Sequence, residues 1–162
     1  MTIKKYFLPI TLLLTCTALL AACSEDKPSA ETAIRQTIAT GEKLAEERKL
    51  SGLKELIADT YTDEKKLDKK MVLRLLMGYF MGHQNIHLFT YIKDIQLIDE
   101  SQAQVILYVA MTGKPVTDLD SFLNIRAELY QFELSMIKDD DNWLVNRASW
   151  RRALPAELLD IK

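Results

Sequence analysis

The stretch that decides the fold is YQFELSMIKDDDNWLVNRASW, residues 130–150. Its first part alternates polar and apolar side chains, with Tyr130, Phe132, Leu134 and Met136 on one face. This period of two predicts a β-strand, which we place at residues 124–138. The polar run 138–142 predicts a tight turn, and residues 143–152 predict a returning strand. The stretch therefore indicates an antiparallel hairpin with an acidic tip.

Two further strands are predicted before this hairpin. Residues 102–112 alternate most clearly, with five apolar side chains on one face and Ile106, Tyr108 and Ala110 on the other. A strand that is apolar on both faces is expected in the middle of a sheet, covered on both sides. Residues 86–98 predict a neighbouring strand with a bulge near Lys93 and Asp94, and residues 113–122 predict a loop.

Helices are predicted before the strands. Ser29 is a favourable N-cap for a helix over residues 30–49, whose apolar stripe is Ile34, Ile38, Gly41 and Ala45 and whose remaining surface is mostly charged. A short helix follows near residues 53–57. Asp68 can cap a third helix over residues 69–82, which is apolar nearly all round and is therefore expected to be buried on two sides or to line a cavity. A short helical tail can follow Pro155.

The order of these elements indicates one α+β domain. Helices come first, and about four long antiparallel strands follow as a meander. The helices are therefore expected to pack on one face of a curved sheet.

In this pattern the chain resembles the nuclear transport factor 2-like superfamily, also called SnoaL-like, and the cystatin-like folds more broadly. The resemblance covers about residues 30–152. It rests on DTYTD at 59–63, MGYFMGHQNIHL at 77–88 and the hairpin at 130–150. It implies a cone with an apolar pocket between the helices and the sheet. Members include isomerases, dehydratases, cyclases and non-enzymatic binding domains, so the fold does not determine the function.

The N-terminus reads as a targeting segment. Lys4 and Lys5 precede an uncharged run over residues 6–22, and the run ends in Leu-Ala-Ala before Cys23. This end resembles a bacterial lipobox, which implies lipidation of Cys23, cleavage before it, and anchoring in a membrane by acyl chains. An ordinary secretory signal and an N-terminal membrane helix remain alternatives.

The lipobox divides the chain into a signal peptide at 1–22, a lipidated Cys23 with a short tether to 28, a domain at 29–154 and a tail at 155–162. The tether can span roughly 15 Å when extended, so the domain should sit close to the bilayer. Ser24 follows the cysteine, and in the enteric lipoprotein system an aspartate there favours the inner membrane. We therefore expect the cell envelope, at the periplasmic face of the outer membrane.

Charge and cysteine content exclude several functions. The chain has 21 basic and 23 acidic residues, and loss of Lys4 and Lys5 with the signal would leave a formal charge of −4. This balance argues against nucleic acid as a partner. Cys16 would be removed and Cys23 lipidated, so no thiol would remain for catalysis or for a metal.

Few residues suggest chemistry. His83 and His87 have the spacing of helical metal ligands, but the third helix should end between them, so we predict no metal site, and no cofactor motif is present. Weak catalytic candidates are Asp63, His83 and Tyr130, followed by Tyr108 and Glu128. Each also has an ordinary interpretation, as a turn residue, a helix end, a core aromatic or a solvated edge. Candidate pocket-lining residues are Met77, Met81, Tyr108, Tyr130 and Trp150.

The sequence therefore favours a lipid-anchored envelope protein without a catalytic role, which holds an apolar small molecule or a protein partner. The alternative is a small pocket enzyme that catalyses isomerase, dehydratase or cyclase chemistry by acid–base steps. A homodimer is also expected, through the sheet face that carries Ile106, Tyr108 and Ala110, because an exposed apolar patch of that kind is usually covered.

Overall fold

The computed structural model describes residues 28–113 and 128–159. Its elements are α1 (Ala30–Glu46), α2 (Leu50–Glu55), α3 (Lys69–Gly82), β1 (His87–Leu97), β2 (Gln102–Thr112), β3 (Glu128–Asp139), β4 (Asn142–Arg152) and α4 (Pro155–Leu159). The strands form one antiparallel sheet in the order β1-β2-β3-β4. The predicted α+β architecture is confirmed. The predicted signal peptide, Cys23, residues 124–127 and most of the 113–122 loop lie outside the described residues.

Both long helices begin as their sequences predict. The Ser29 hydroxyl accepts a hydrogen bond from the Thr32 N–H at 3.2 Å, and the Asp68 carboxylate accepts one from the Met71 N–H at 2.7 Å. Helix α1 ends at Glu46 rather than at residue 49, because the chain turns sharply at Arg48, which has a φ of 56°. This turn brings α2 back against the end of α1.

The sheet carries irregularities at two places. The register of β1 shifts between Ile92 and Asp94, which confirms the predicted bulge, and the β3–β4 register shifts between Ser135 and Met136. Beside β4, the chain after α2 continues the sheet: the Ala58 N–H donates to the Val145 carbonyl oxygen at 2.9 Å. The edge of β4 is therefore partly paired, which limits its exposure to other chains.

Three buried clusters hold the layers together. The largest joins Ile34 of α1 to the concave face of the sheet, and a second, around Phe80, joins α2, α3 and the start of β1. The third lies on the convex face, around Tyr108. Every residue of these clusters lies between Ala30 and Ala153, so a chain that begins at Ser24 keeps all of this core.

The third helix is covered on one side only. Phe80 is buried, but Met71, Leu75, Met77 and Met81 are exposed, Met81 to 77%. The expectation that this helix is buried on two sides is thus wrong for the single chain, because α1 and α2 cover only its inner face. The alternative expectation, that the helix lines a cavity, is confirmed for that inner face, which carries Leu76, Tyr79 and Phe80. Of the helices described, none is long and apolar enough to cross a membrane.

Candidate functional site

A cavity of about 310 Å³ lies between the concave face of the sheet and the three helices. Most of its wall is aliphatic or aromatic, including Ile38, Leu53, Phe80, Leu107, Val109 and Phe132. The alternation of β2 places Leu107, Val109 and Met111 toward it, as the period of two predicts. A pocket of this size and apolarity is typical of a site for a small organic ligand.

Among the described residues of the cavity wall, one is charged. Glu42 of α1 is half-buried there, and burial raises the pKa of its carboxyl group. A hydrogen bond from the Thr90 hydroxyl of β1 opposes this shift, and the nearby Glu46 carboxylate adds to it. A carboxyl group with a raised pKa inside an apolar cavity is a candidate for binding or for acid–base chemistry.

Sequence reasoning missed Glu42 because it counted this residue among the charges on the outer surface of α1. Glu42 follows Gly41 of the apolar stripe. The stripe alone does not determine whether a position directly beside it faces the core or the solvent. A signal was present in β1, where Thr90 stands between Leu88 and Ile92 on the inner face of the strand. A polar side chain at such a position needs a partner.

His83 ends α3 and does not enter the cavity. Its Nδ1 atom donates to the Tyr79 carbonyl oxygen at 2.9 Å, and its ring stacks on the Tyr79 ring at a centroid distance of 4.1 Å. The predicted interaction with the last carbonyls of the helix is confirmed. His87 begins β1 after the helix has ended, so the two histidines do not share a helical face. Within the described residues, no group of three His, Cys, Asp or Glu residues is placed to hold a metal ion.

The rim of the cone carries a hydrogen-bonded group of Tyr130, Glu128 and Arg152. The Tyr130 hydroxyl donates to Glu128 Oε2 at 3.1 Å, and Arg152 Nη2 donates to Glu128 Oε1 at 2.9 Å. Tyr79 lines the cavity nearby, and burial, with smaller contributions from Glu128 and Tyr130, raises the pKa of its hydroxyl group. Glu128 and Arg152 are exposed, so their ion pair adds little stability.

Asp63 is a buried turn residue outside the cavity wall. It is 5% exposed, and its Oδ1 atom accepts a hydrogen bond from the Leu67 N–H at 2.8 Å. The chain between them turns at Lys66, which has a φ of 60°. Burial, with a smaller effect of the Asp63 charge, raises the pKa of Tyr61 to about 12. Asp63 therefore holds the turn, which was its ordinary interpretation.

None of the five residues predicted to line the pocket is among the described residues of the cavity wall. Met77 and Met81 are exposed on the outer side of α3, since the inner side of that helix is formed by Leu76, Tyr79 and Phe80. Tyr130 and Trp150 are on the concave face of the sheet beside Phe132 of the cavity wall, whose ring lies 6.5 and 6.1 Å from theirs.

Tyr108 is 2% exposed and lies on the convex face of the sheet, which is opposite the cavity. It packs with Ala110, Leu129 and Ala153, and Phe89 covers the group from one side. Tyr108 and Ala110 are thus buried within one chain, and Ile106 is half-buried. The face proposed for a homodimer is less exposed than the sequence suggested, and the dimer itself stays a prediction.

Solved structures place this architecture in a known fold. A candidate scytalone dehydratase from Novosphingobium aromaticivorans is 14% identical over 76% of this chain and 84% of its own, with a TM-score of 0.64. An uncharacterised cystatin-like protein from Caulobacter vibrioides is 8% identical over 82% of this chain and 96% of its own, with a TM-score of 0.63. An NTF-2 like protein of unknown function from Shewanella oneidensis is 16% identical over 74% of this chain and 97% of its own, with a TM-score of 0.55.

No protein-family model and no curated protein matches the chain. At identities this low, the structural likeness establishes the fold alone. The chain has the nuclear transport factor 2-like, cystatin-like α+β fold, as the resemblance implied.

Proposed function

We propose that this protein is a lipid-anchored protein of the bacterial cell envelope whose cone binds an apolar small molecule without transforming it. The observation that carries the binding function is the cavity of about 310 Å³. Its wall is almost entirely apolar, so transfer of an apolar molecule from water into it is favourable by about 25 cal/mol per Å² of apolar surface buried.

The binding function can be tested with two alanines of α1. Ala45 lines the cavity, whereas Ala39 is exposed on the same helix. We expect Ala45→Leu to abolish or strongly weaken binding of an apolar dye by the chain that begins at Ser24, because the added atoms occupy the cavity. Ala39→Leu adds the same atoms outside the cavity and should leave dye binding unchanged.

Equal dye binding by both variants, or no dye binding by the unaltered chain, would contradict the binding function. If Ala45→Leu does not fold, mass spectrometry of the unaltered chain gives an independent answer. A molecule that co-purifies with it and is displaced by the dye would support the proposal. The absence of any such molecule, together with no dye binding, would overturn it.

The anchor is supported by the sequence that ends at Cys23 and is tested separately. We expect Cys23→Ala to abolish the acyl mass and to release the protein from the membrane fraction, while Cys16→Ala, whose cysteine lies inside the predicted signal peptide, should keep both. A wild-type protein without acyl mass, or a Cys23→Ala variant that still fractionates with membranes, would overturn this part of the proposal.

A small acid–base enzyme is a second candidate, favoured by the carboxyl group of Glu42 in the cavity and by the hydrogen-bonded Tyr130 and Glu128 at its rim. An enzyme of this type would need Glu42 for turnover but not for folding. If a substrate that fits the cone is turned over, loss of that turnover in Glu42→Gln, with a melting temperature no lower than that of the wild type, would favour the enzyme over the binding protein.

A further inference from the structure

A second concave surface, separate from the cavity, lies between α2 and the first half of α3. This groove has a volume of about 580 Å³ and shares none of its described residues with the cavity. Most of its surface is apolar, and Leu50, Leu73 and Met77 contribute to it. Met77 is exposed to nearly half, so this apolar surface is open to solvent in the single chain.

The groove has an excess of positive charge, although the chain as a whole carries a formal charge of −2. Its described residues include two carboxylates and four cations, the cations being Lys54, Lys69, Lys70 and Arg74. The groove is therefore opposite in sign to the rest of the chain, which favours an acidic partner.

Both carboxylates of the groove already have partners within the chain. Asp59 Oδ1 accepts a hydrogen bond from Lys69 Nζ at 2.7 Å, and Asp68 accepts its bond from the first turn of α3. Of the described residues, none forms an ion pair with Lys54, Lys70 or Arg74, and all three are exposed. Three cations are thus available to acidic groups from outside.

The spacing along α3 aligns these cations with apolar side chains. Lys70, Arg74, Met77 and Met81 recur at intervals of three and four residues, so they lie along one side of the helix. Helix α3 contains no acidic residue. Methionine side chains are flexible and adapt to the shape of a partner, so this side of α3 combines adaptable apolar contacts with cations.

From this charge and shape we propose that the groove binds an acidic amphipathic helix of a protein partner. The apolar side of that helix packs on Leu73 and Met77, and its acidic side chains pair with Lys54, Lys70 and Arg74. An amphipathic helix recognises a groove in this way, with its apolar face inward and its charged residues at the edges. The groove and the cavity are separate, so this interaction does not depend on the ligand of the cavity.

Two other occupants fit the groove less well. In a two-fold symmetric dimer the same patch meets itself, so a second copy would bring Lys70 and Arg74 against cations of the same kind. A bilayer surface is flat and would leave a groove between two helices unfilled. Both occupants are distinguishable outcomes of the experiment.

Two synthetic peptides, each cross-linked to hold a helix, test the proposal. They share one face of leucines at intervals of three and four residues, and the opposite face carries glutamates in one peptide and lysines in the other. Fluorescence anisotropy measures their binding to the chain that begins at Ser24. We expect the glutamate peptide to bind at least about tenfold more tightly at low salt. The difference should shrink as salt is added, because salt screens exposed charges.

Four variants assign the binding to the groove. Lys70→Glu and Arg74→Glu should each weaken binding of the glutamate peptide about threefold or more, since each replaces an attraction by a repulsion. Lys43→Glu makes the same reversal at an exposed position of α1 outside the groove and should change it by less than about twofold. Met77→Ala should weaken binding of the peptide while the protein keeps its melting temperature.

Each contrary result has a distinct meaning. No binding of the glutamate peptide, equal binding of the two peptides, or an equal loss in Lys43→Glu and Lys70→Glu would overturn the proposal. Self-association in sedimentation that Met77→Ala abolishes would assign the groove to a second copy and overturn the protein partner. Binding to vesicles of phosphatidylcholine and phosphatidylglycerol that Lys70→Glu abolishes, without binding of the peptide, would assign the groove to a bilayer and also overturn it. Dye binding in the cavity is unaffected by any of these results.

Discussion

Glu42 of α1 and Thr90 of β1 lie beside each other in the wall of the cavity, where the Thr90 hydroxyl partly opposes the rise that burial causes in the pKa of the Glu42 carboxyl group. The two side chains come from α1 and β1, which are separated by two helices in the chain. The contact therefore joins the helical layer to the sheet at a polar point inside an otherwise apolar surface.

Glu42 should make the stability of the protein depend on pH. Burial raises the pKa of its carboxyl group in the folded state, so the folded chain binds the proton more tightly than the unfolded chain. Its contribution to stability is therefore lost as pH rises from the ordinary glutamate range through the raised pKa. We expect Glu42→Gln to be more stable than the wild type at neutral pH.

The stability gain of Glu42→Gln over the wild type should shrink at a pH below the ordinary glutamate pKa. At that pH the side chain at position 42 is neutral in both proteins. Urea denaturation at the two pH values measures it, with Glu47→Gln as the exposed control. A constant difference between variant and wild type at both pH values would show that Glu42 titrates normally.

The glycines of α2 and α3 should respond differently to alanine. A Cβ atom on Gly52 would lie 2.6 Å from Leu44 Cδ2, whereas one on Gly78 would meet nothing within 4 Å. Gly78→Ala should stabilise the protein by roughly 0.5–1 kcal/mol, because alanine favours the helix. Gly52→Ala must displace Leu44, so we expect no gain or a loss of about 1–3 kcal/mol. Chemical denaturation of both variants measures these changes. A larger gain in stability for Gly52→Ala than for Gly78→Ala would contradict the close approach of α1 and α2.

Alanine substitutions on the inner and outer faces of α3 should differ in their effect on the free energy of unfolding. Phe80 is buried and Met77 is exposed to nearly half. We expect Phe80→Ala to cost about 3–5 kcal/mol in the free energy of unfolding. Met77→Ala should change the free energy by roughly 0.5 kcal/mol or less, as exposed substitutions usually do. Urea unfolding of the two variants measures both, and a cost at Met77 comparable to that at Phe80 would mean that something covers the outer face.

The ion pair that holds α4 should weaken in acid. Arg151 donates to both carboxylate oxygens of Glu157, at 3.1 and 2.6 Å, and the Leu154 N–H donates to Oε1 at 2.8 Å. Arg151 and then the backbone hydrogen bond of Leu154 hold the pKa of Glu157 at about 2. The stabilisation is therefore present above the ordinary glutamate range and is lost as pH falls toward about 2.

Glu157→Gln should accordingly loosen α4 at neutral pH. It should have no effect once the pH has fallen to about 2. Nuclear relaxation of the backbone amides after Pro155 measures the local order. Glu31→Gln, in the exposed pair of Glu31 and Arg35 on α1, is the control and should leave α4 unchanged. Unaltered relaxation in Glu157→Gln at neutral pH would show that the ion pair does not order this helix.

The sequence by itself determined the sheet, because a period of two can be read from each strand without knowledge of its neighbours. The inward positions of β2 and β3, such as Leu107 and Phe132, and the bulge beside Asp94 follow from that pattern. The helix caps at Ser29 and Asp68 are also local signals, since each uses a hydrogen bond within a few residues. The α+β class follows from the order of these elements.

Only the tertiary structure decided which side chains of the helices enter the cavity. A helix offers positions on either side of its apolar stripe, and the curvature of the sheet determines which of them faces inward, so Glu42 lines the cavity while Met77 and Met81 of the apolar α3 lie outside. The ion pair of Glu128 with Arg152 at the rim likewise depends on the register of β3 and β4, which places Arg152 opposite Tyr130. Burial and the direction of a side chain arise from the packing of elements distant in sequence, and a local pattern contains neither.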